Sequence, residues 1–242
     1  METTVKHTIN YRDLGLIDYK EAWDYQEELL ARVVDEKNKI KSQGEEKPFP
    51  KNQVILFCEH PHVFTIGKSG EGNNLLINSE LLEKIKANYY RINRGGDITY
   101  HGPGQVVGYP IIDLESLRIG VKDYVWMLEE SVIRYLDDQG ISGGRLKGAT
   151  GVWLEPDLPG KARKICAIGV RVSNFVTMHG FAFNVNTDLR YFQYINPCGF
   201  RDKTVTSLER ELGKKPDFGE VKQSLLSKIS EVFNLDVRRK NF

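Results

Sequence analysis

Between Asp18 and Val34 the apolar residues Tyr19, Ala22, Trp23, Leu30, Val33 and Val34 recur at helical spacing. One greasy stripe on an otherwise charged segment predicts an amphipathic helix. Asp18 and Glu21 stand at its start as a capping pair. The pattern then fails. Glu36 to Lys51 is charged, holds Gly44 and two prolines, and predicts a solvated loop whose opposite charges nearly cancel. Val54 to Cys58 is a short apolar run rich in strand formers, and Val63 to Ile66 is another, ended by Gly67. Tyr89 to Asn93 leads into RGGDITYHGPGQ, and Val106 to Ile112 follows as a further apolar strand. Val121 to Leu136 carries Tyr124, Val125, Leu128, Val132, Tyr135 and Leu136 on one side, with Gly140 as its stop, and predicts a helix.

The second half returns to strands over Gly151 to Leu154, Lys164 to Val172 and Val176 to Asn186. Asn174 sits between the last two, where a hairpin turn is required. Phe218 to Phe233 closes the pattern as a helix with Val221, Leu225, Ile229 and Val232 in a stripe. No repeat or low-complexity segment interrupts the chain. Strands in hairpin-like groups with helices between them predict an α+β fold: a mixed β-sheet with helices on one face, in one domain over residues 1–242.

Composition narrows the function. A chain of 242 residues with 40% hydrophobic and 28% charged residues buries a substantial core and is not a disordered segment. Its 34 basic residues nearly balance 33 acidic ones, so no global charge advertises nucleic acid or an anionic membrane. No apolar run is long enough to span a bilayer, and METTVKHTINYRDLGLIDYKEA lacks the charge pattern of a signal or transit peptide. Three widely spaced cysteines, Cys58, Cys166 and Cys198, fit free thiols in a reducing, cytoplasmic setting rather than a disulfide framework.

Three segments carry candidate chemistry. Arg94-Gly95-Gly96-Asp97-Ile98-Thr99-Tyr100-His101-Gly102-Pro103-Gly104-Gln105 has four glycines between two strands. It can be a mere connection, or a loop whose backbone approaches a ligand, with Arg94 at its mouth to bind an anion. It is neither a P-loop nor a dinucleotide fingerprint, because the lysine and the glycine spacing of those motifs are missing. Cys198, between Pro197 and Gly199, belongs to a turn that exposes its sulfur, the first requirement for a reactive thiol. Cys58, inside VILFC, reads as a buried thiol, and Cys166 as a core or lining residue. In Lys164-Ile165-Cys166-Ala167-Ile168-Gly169 strand alternation points Lys164, Cys166 and Ile168 one way. Lys164 is either simply solvated or placed to lower the pKa of Cys198. A zinc site from His60, His62, His101 and Cys198 lacks any recognised ligand spacing, and no metal is expected.

RGGDITYHGPGQ, GVWL, KICAIGVRV, MHGFAFNVN, INPCG and VTSL occur in this order, preceded by EHPHVFTIGKSG. Over Val54 to Leu208 this set closely resembles the octanoyl-[acyl carrier protein]:protein N-octanoyltransferases of lipoate biosynthesis, relatives of the lipoate and biotin protein ligases. The resemblance implies a ligase-like mixed sheet flanked by helices. It implies transfer of an octanoyl group from acyl carrier protein to a lysine of lipoyl domains of 2-oxoacid dehydrogenase complexes and of the glycine cleavage H protein. Cys198 matches the family's nucleophile, and Lys164 matches the lysine that lowers its pKa and shuttles protons. Arg94 to His101, Ala167-Ile168-Gly169 and Gly180-Phe181-Ala182 match segments lining the acyl site. Neither ATP nor a metal is implied, because the acyl group arrives as a thioester, and a monomer is the default.

Cys166 is an added thiol beside the lysine and raises the prospect of oxidation or labelling at the site. The partners the resemblance implies are acidic, which predicts a basic rim, with Lys68, Arg94, Arg145 and Lys147 as candidates. Three rival readings stay open. They are an ATP-dependent lipoate or biotin ligase on the same fold, a silent binding module for acyl carrier protein or lipoyl domains, and a thioester hydrolase.

Overall fold

The computed structural model describes residues 6–42, 49–196 and 204–239. Its chain order begins with β1 (His7–Leu16), α1 (Tyr19–Ser42), β2 (Val54–Glu59), β3 (Val63–Ile66), α2 (Ser79–Lys84), β4 (Asn88–Arg91), β5 (Ile98–His101) and β6 (Gln105–Ile111). There follow α3 (Leu114–Leu117), α4 (Val121–Asp138), β7 (Gly143–Leu146), β8 (Ala149–Leu154), β9 (Arg163–Ser173) and β10 (Val176–Asn184). The last elements are β11 (Thr204–Val205), α5 (Leu208–Leu212), α6 (Phe218–Val232) and β12 (Leu235–Arg239).

The large sheet runs β12-β1-β2-β6-β10-β9-β8-β7, with β11 paired to β9. β1 is parallel to both neighbours, and β2 through β7 are antiparallel, so the sheet is mixed as expected. A second, small sheet runs β4-β3-β5. Helices lie on both faces rather than one. On one face α1 packs Ala22, Leu29, Leu30 and Val33 against Leu56, Val107, Tyr109 and Ala182. On the other, α4 and α6 pack Tyr124, Leu128, Leu225 and Ile229 against Ile55, Phe57, Val106 and Phe183. The reason is visible in the central strands. VILFC and VVGYPII are apolar at every position, and a strand that is apolar throughout must be covered twice.

Asp18 starts α1 by accepting from the backbone of Lys20 and Glu21, at 2.8 and 3.3 Å. The helix does not end near Val34. It continues to Ser42, through residues expected in a loop. The cause is Lys37, a charged residue on the buried stripe. Its Nζ donates to Asp113 Oδ1 at 2.7 Å and to the Asn174 carbonyl at 2.9 Å, lies 2.8 Å from Glu115, and sits 5.2 Å over the Phe175 ring. Glu36 then accepts from the backbone of Lys51 and Asn52, which brings the chain back to the sheet.

Lys37 thus clamps the β9–β10 hairpin. Asn174 and Phe175 turn it with φ of 50° and 64°, the two positive values of a two-residue hairpin loop. Strands β1, β7 and β12 were not foreseen. β1 buries only Ile9 and Tyr11 between polar residues, and a strand so sparsely apolar gives a weak period-two signal.

Replacing Lys37 by Ala strands the Asp113 carboxylate, whose side chain is 4% exposed. The expected loss is about 3–5 kcal/mol in urea unfolding. A loss below about 0.5 kcal/mol, the usual size of a surface substitution, contradicts the clamp.

Candidate active site

A cavity of about 770 Å³ lies on the α1 face of the large sheet, under the small sheet and the 189–196 segment. Its floor follows from the register. Ala182 pairs with Ala167 on one side and Val107 on the other, and Gly180 pairs with Gly169. In antiparallel neighbours, paired residues point to the same face. Ala167, Gly169, Gly180 and Ala182 therefore form a patch of small side chains in two rows, which is what leaves room above the sheet. A Cβ on Gly180 would stand 2.2 Å from the Gly108 carbonyl, and one on Gly169 would stand 2.9 Å from the Gly95 carbonyl.

Next to that patch β10 is irregular. Pro110 of β6 has no N–H to give it. His179 adopts φ of 57° and donates its backbone N–H to Gln26 Oε1 at 2.9 Å instead.

Lys164 lines the cavity, with Nζ 4.6 Å from the centre of the Trp153 ring. Cys166 does not share its face, contrary to strict alternation. Val152 pairs with Cys166 and Trp153 with Lys164, so Ile165 is one residue too many and forms a bulge. Ile165 and Cys166 both point into the opposite core, and Ile168 packs against that core while bordering the cavity. Burial pushes the Cys166 thiol well above its ordinary pKa, which makes it inert rather than a labelling hazard. Cys58 is buried in the same way.

The glycine-rich segment is more structured than a loop, because Ile98 to His101 form β5 against β3. Arg94 is buried rather than standing at a mouth. Its guanidinium donates to the Thr65 carbonyl at 2.7 Å, to Thr65 Oγ1 at 3.0 Å and to the Gly95 carbonyl at 3.0 Å. The Gly95 N–H docks the turn onto the Val170 carbonyl at 2.9 Å. Asp97 takes both 2.9 Å bonds from Asn74 Nδ2 and one of 2.7 Å from the Ile98 N–H. Arg94, Gly96, Asp97, Ile98, Thr99 and His101 border the cavity, as do Gly180, Phe181 and Ala182. Tyr100 does not. It lies in the small-sheet core, with its hydroxyl 2.7 Å from His62 Nδ1 and its ring stacked on Tyr191.

His101 Nδ1 lies 2.8 Å from Gln105 Oε1, which makes Nδ1 the protonated nitrogen. Gln105 Nε2 donates to Asn184 Oδ1 at 2.9 Å, and Asn184 Nδ2 to the Thr206 carbonyl at 3.0 Å. The Thr206 N–H returns to the Lys164 carbonyl at 2.9 Å. This chain ties the cavity floor to the strand carrying Lys164. Sequence reasoning missed Asn184, Tyr19 and Tyr109 as lining residues, and Trp153 as the partner of Lys164. Asn184 sat within MHGFAFNVN but had no partner visible from spacing.

The Cys198 assignment lies outside the described residues. Its flanks do not: Asn196 and Thr204 both border the cavity. The Asn196 N–H bonds the Asn74 carbonyl at 2.9 Å, and Val205 pairs with Lys164. The histidines are not arranged for a metal. His60 spends Nδ1 on the Ile17 carbonyl at 2.8 Å and Nε2 on the Tyr109 hydroxyl at 2.7 Å. Among the described residues no group of three metal-ligating side chains occurs, and no helix is long and apolar enough to cross a membrane.

The chain folds like lipoate protein ligases. The bipartite lipoate protein ligase of Thermoplasma acidophilum superposes with a TM-score of 0.69 over 98% of this chain and 88% of that one, at 14% identity. The family model described as the lipoyl protein ligase A/B catalytic domain matches residues 18–230. The octanoyltransferase of Parabacteroides distasonis is 54% identical over 93% of this chain and 99% of its own length. That of Flavobacterium johnsoniae is 54% identical over 95% and 98%. The chain belongs to the lipoyl protein ligase A/B catalytic family and, within it, to the octanoyltransferases.

Burial lowers the pKa of His60 to about 4 and of His101 and His179 to about 3. All three stay neutral in the fold, whereas in the unfolded chain they take up protons near pH 6.5. Unfolding therefore binds protons below that pH, and stability falls as pH drops from about 6.5 towards 5. Urea midpoints at pH 7 and pH 5 read this directly, and equal midpoints contradict the neutral histidines.

Proposed function

We propose that this protein transfers an octanoyl group from octanoyl-acyl carrier protein to a lysine ε-amine of lipoyl domains in the cytoplasm, through a thioester on Cys198. The acceptors are the lipoyl domains of 2-oxoacid dehydrogenase complexes and the glycine cleavage H protein. The observation that carries the reading is the placement of Lys164. Its ammonium enters the wall of a cavity floored by small residues, its backbone pairs with Val205, and both chain segments that flank Cys198 border the same cavity. The octanoyltransferases at 54% identity support the same reaction.

An ammonium near a thiol favours the thiolate, the form that attacks. The Cys198 sulfur adds to the thioester carbonyl, the carrier's thiolate leaves with a proton from the Lys164 ammonium, and a new thioester forms beside a now neutral Lys164. A lysine amine then attacks that carbonyl, loses a proton to Lys164 and leaves as the amide, restoring the Cys198 thiolate. A thioester is already activated, so ATP enters at no step. Trp153 holds the Lys164 side chain against its ring, and the Gln105–Asn184 chain holds its strand.

Intact-mass spectrometry after mixing with octanoyl-acyl carrier protein, without ATP, tests the relay. Wild type gains one octanoyl group and passes it to a lipoyl domain, whereas Cys198→Ser forms no thioester. Transfer that needs ATP and free octanoate contradicts it. The floor makes a second prediction. Ala182→Phe fills the space over β10 and lowers kcat/KM for octanoyl relative to butanoyl donors by about 10-fold or more. An unchanged ratio removes the acyl chain from this floor.

A further inference from the structure

The charge of the cavity departs from that of the chain. The whole chain carries +1. Among the described residues, the charged ones bordering the cavity are Arg94, Asp97, Lys164, Arg190 and Arg210, four basic and one acidic. Arg94 and Lys164 belong to the interior, and Asp97 is bonded to Asn74. Arg190 and Arg210 are exposed and so border the cavity where it meets solvent, as do the exposed Gly148, Thr150, Gln193 and Thr204.

The arginines of the opening are not the residues chosen as a basic rim from sequence. Arg145 is spent on Glu129 and Glu130 and lies 4.5 Å over the Trp126 ring, and Arg94 is buried on Thr65. Lys68 and Lys147 are exposed but do not border the cavity. Arg190 contacts Asp188 at 2.7 Å, with its own side chain 84% exposed. The pair is two-pointed, Nε to Oδ1 at 2.9 Å and Nη2 to Oδ2 at 2.7 Å, but solvent screens a guanidinium this exposed, so an incoming anion can compete for it. Arg210 follows the cap residue Ser207 on α5, and the carboxylate next to it, Glu211, is engaged by Arg163 at 2.7 Å.

We propose that Arg190 and Arg210 form a phosphate-binding subsite that grips the phosphodiester of the arm delivering the acyl group. The inference rests on the transferase reading above. With the thioester carbonyl at Lys164 and the acyl chain over the small-residue floor, the arm leaves through the opening. The first anion along it emerges there. Guanidinium groups match phosphate oxygens with paired donors, which an acidic protein surface does not require.

Two measurements test it. Calorimetry with wild type compares 4′-phosphopantetheine with pantetheine, neither carrying an acyl group, and so does not depend on the relay. The phosphorylated form binds about 10-fold tighter or more, and equal affinities overturn the subsite. The second measurement is the rate of Cys198 acylation by octanoyl-phosphopantetheine divided by that with octanoyl-pantetheine. In Arg190→Gln/Arg210→Gln this ratio collapses to about one, whereas damage to the fold would lower both rates and leave the ratio high. A ratio that persists overturns the subsite. So does a variant slowed only with the intact carrier protein, which assigns the arginines to the carrier's surface. Failure of every donor to acylate Cys198 sinks the relay and leaves the calorimetric result to decide the subsite.

Discussion

Side chains on a strand alternate, so Lys164 and Cys166 belong on one face unless a residue is inserted between them. The insertion is Ile165, and it sends Lys164 into the cavity and Cys166 into the core. Opposite the bulge, Gly151 takes φ of 119°, and a Cβ there would lie 2.4 Å from the Cys166 carbonyl. Its N–H bonds Glu129 Oε1 at 2.9 Å from α4, and Glu129 is in turn held by Arg145. A helix on one face therefore fixes the irregularity that supplies the charge on the other. The Trp153 ring completes the arrangement by covering the Lys164 side chain.

The cavity has the same origin in backbone geometry. Two register-matched rows of Ala and Gly lower the floor, while the neighbouring rows bury Phe181 and Phe183 on the far side. The small sheet is held above it by Arg94, whose donors go to Thr65, and by the Gly95 contact with Val170. Asp97, Asn74 and Asn196 then form one hydrogen-bonded run that leads to the chain just before Cys198. Binding space, cation and the chain as far as Asn196 are thus parts of one connected scaffold.

Much of this was legible in the sequence. The helices around Trp23, Leu128 and Leu225 showed their stripes, and the ordered motifs named the family. Strict alternation misplaced Cys166, because a bulge leaves no mark in a string of strand formers. α1 was cut short because Lys37 reads as solvated until Asp113 and Glu115 are beside it in space. Helices were expected on one face, although the unbroken apolar runs of β2 and β6 already called for two. Arg145 looked like a rim residue because its acidic partners lie fifteen and sixteen positions away. Tyr100 looked like a lining residue because it stands between two that are, and a strand sends it to the other side.

The account turns on Lys164 acting electrically on the Cys198 thiol. The direct measurement is the pH dependence of Cys198 alkylation by iodoacetamide, in wild type and in Lys164→Met. The account predicts a wild-type midpoint below the value of about 8.5 for a free cysteine, and a midpoint in the variant moved upward by about one unit or more. Coincident midpoints in the two proteins would contradict it, and would leave the bulge at Ile165 a feature of the sheet alone.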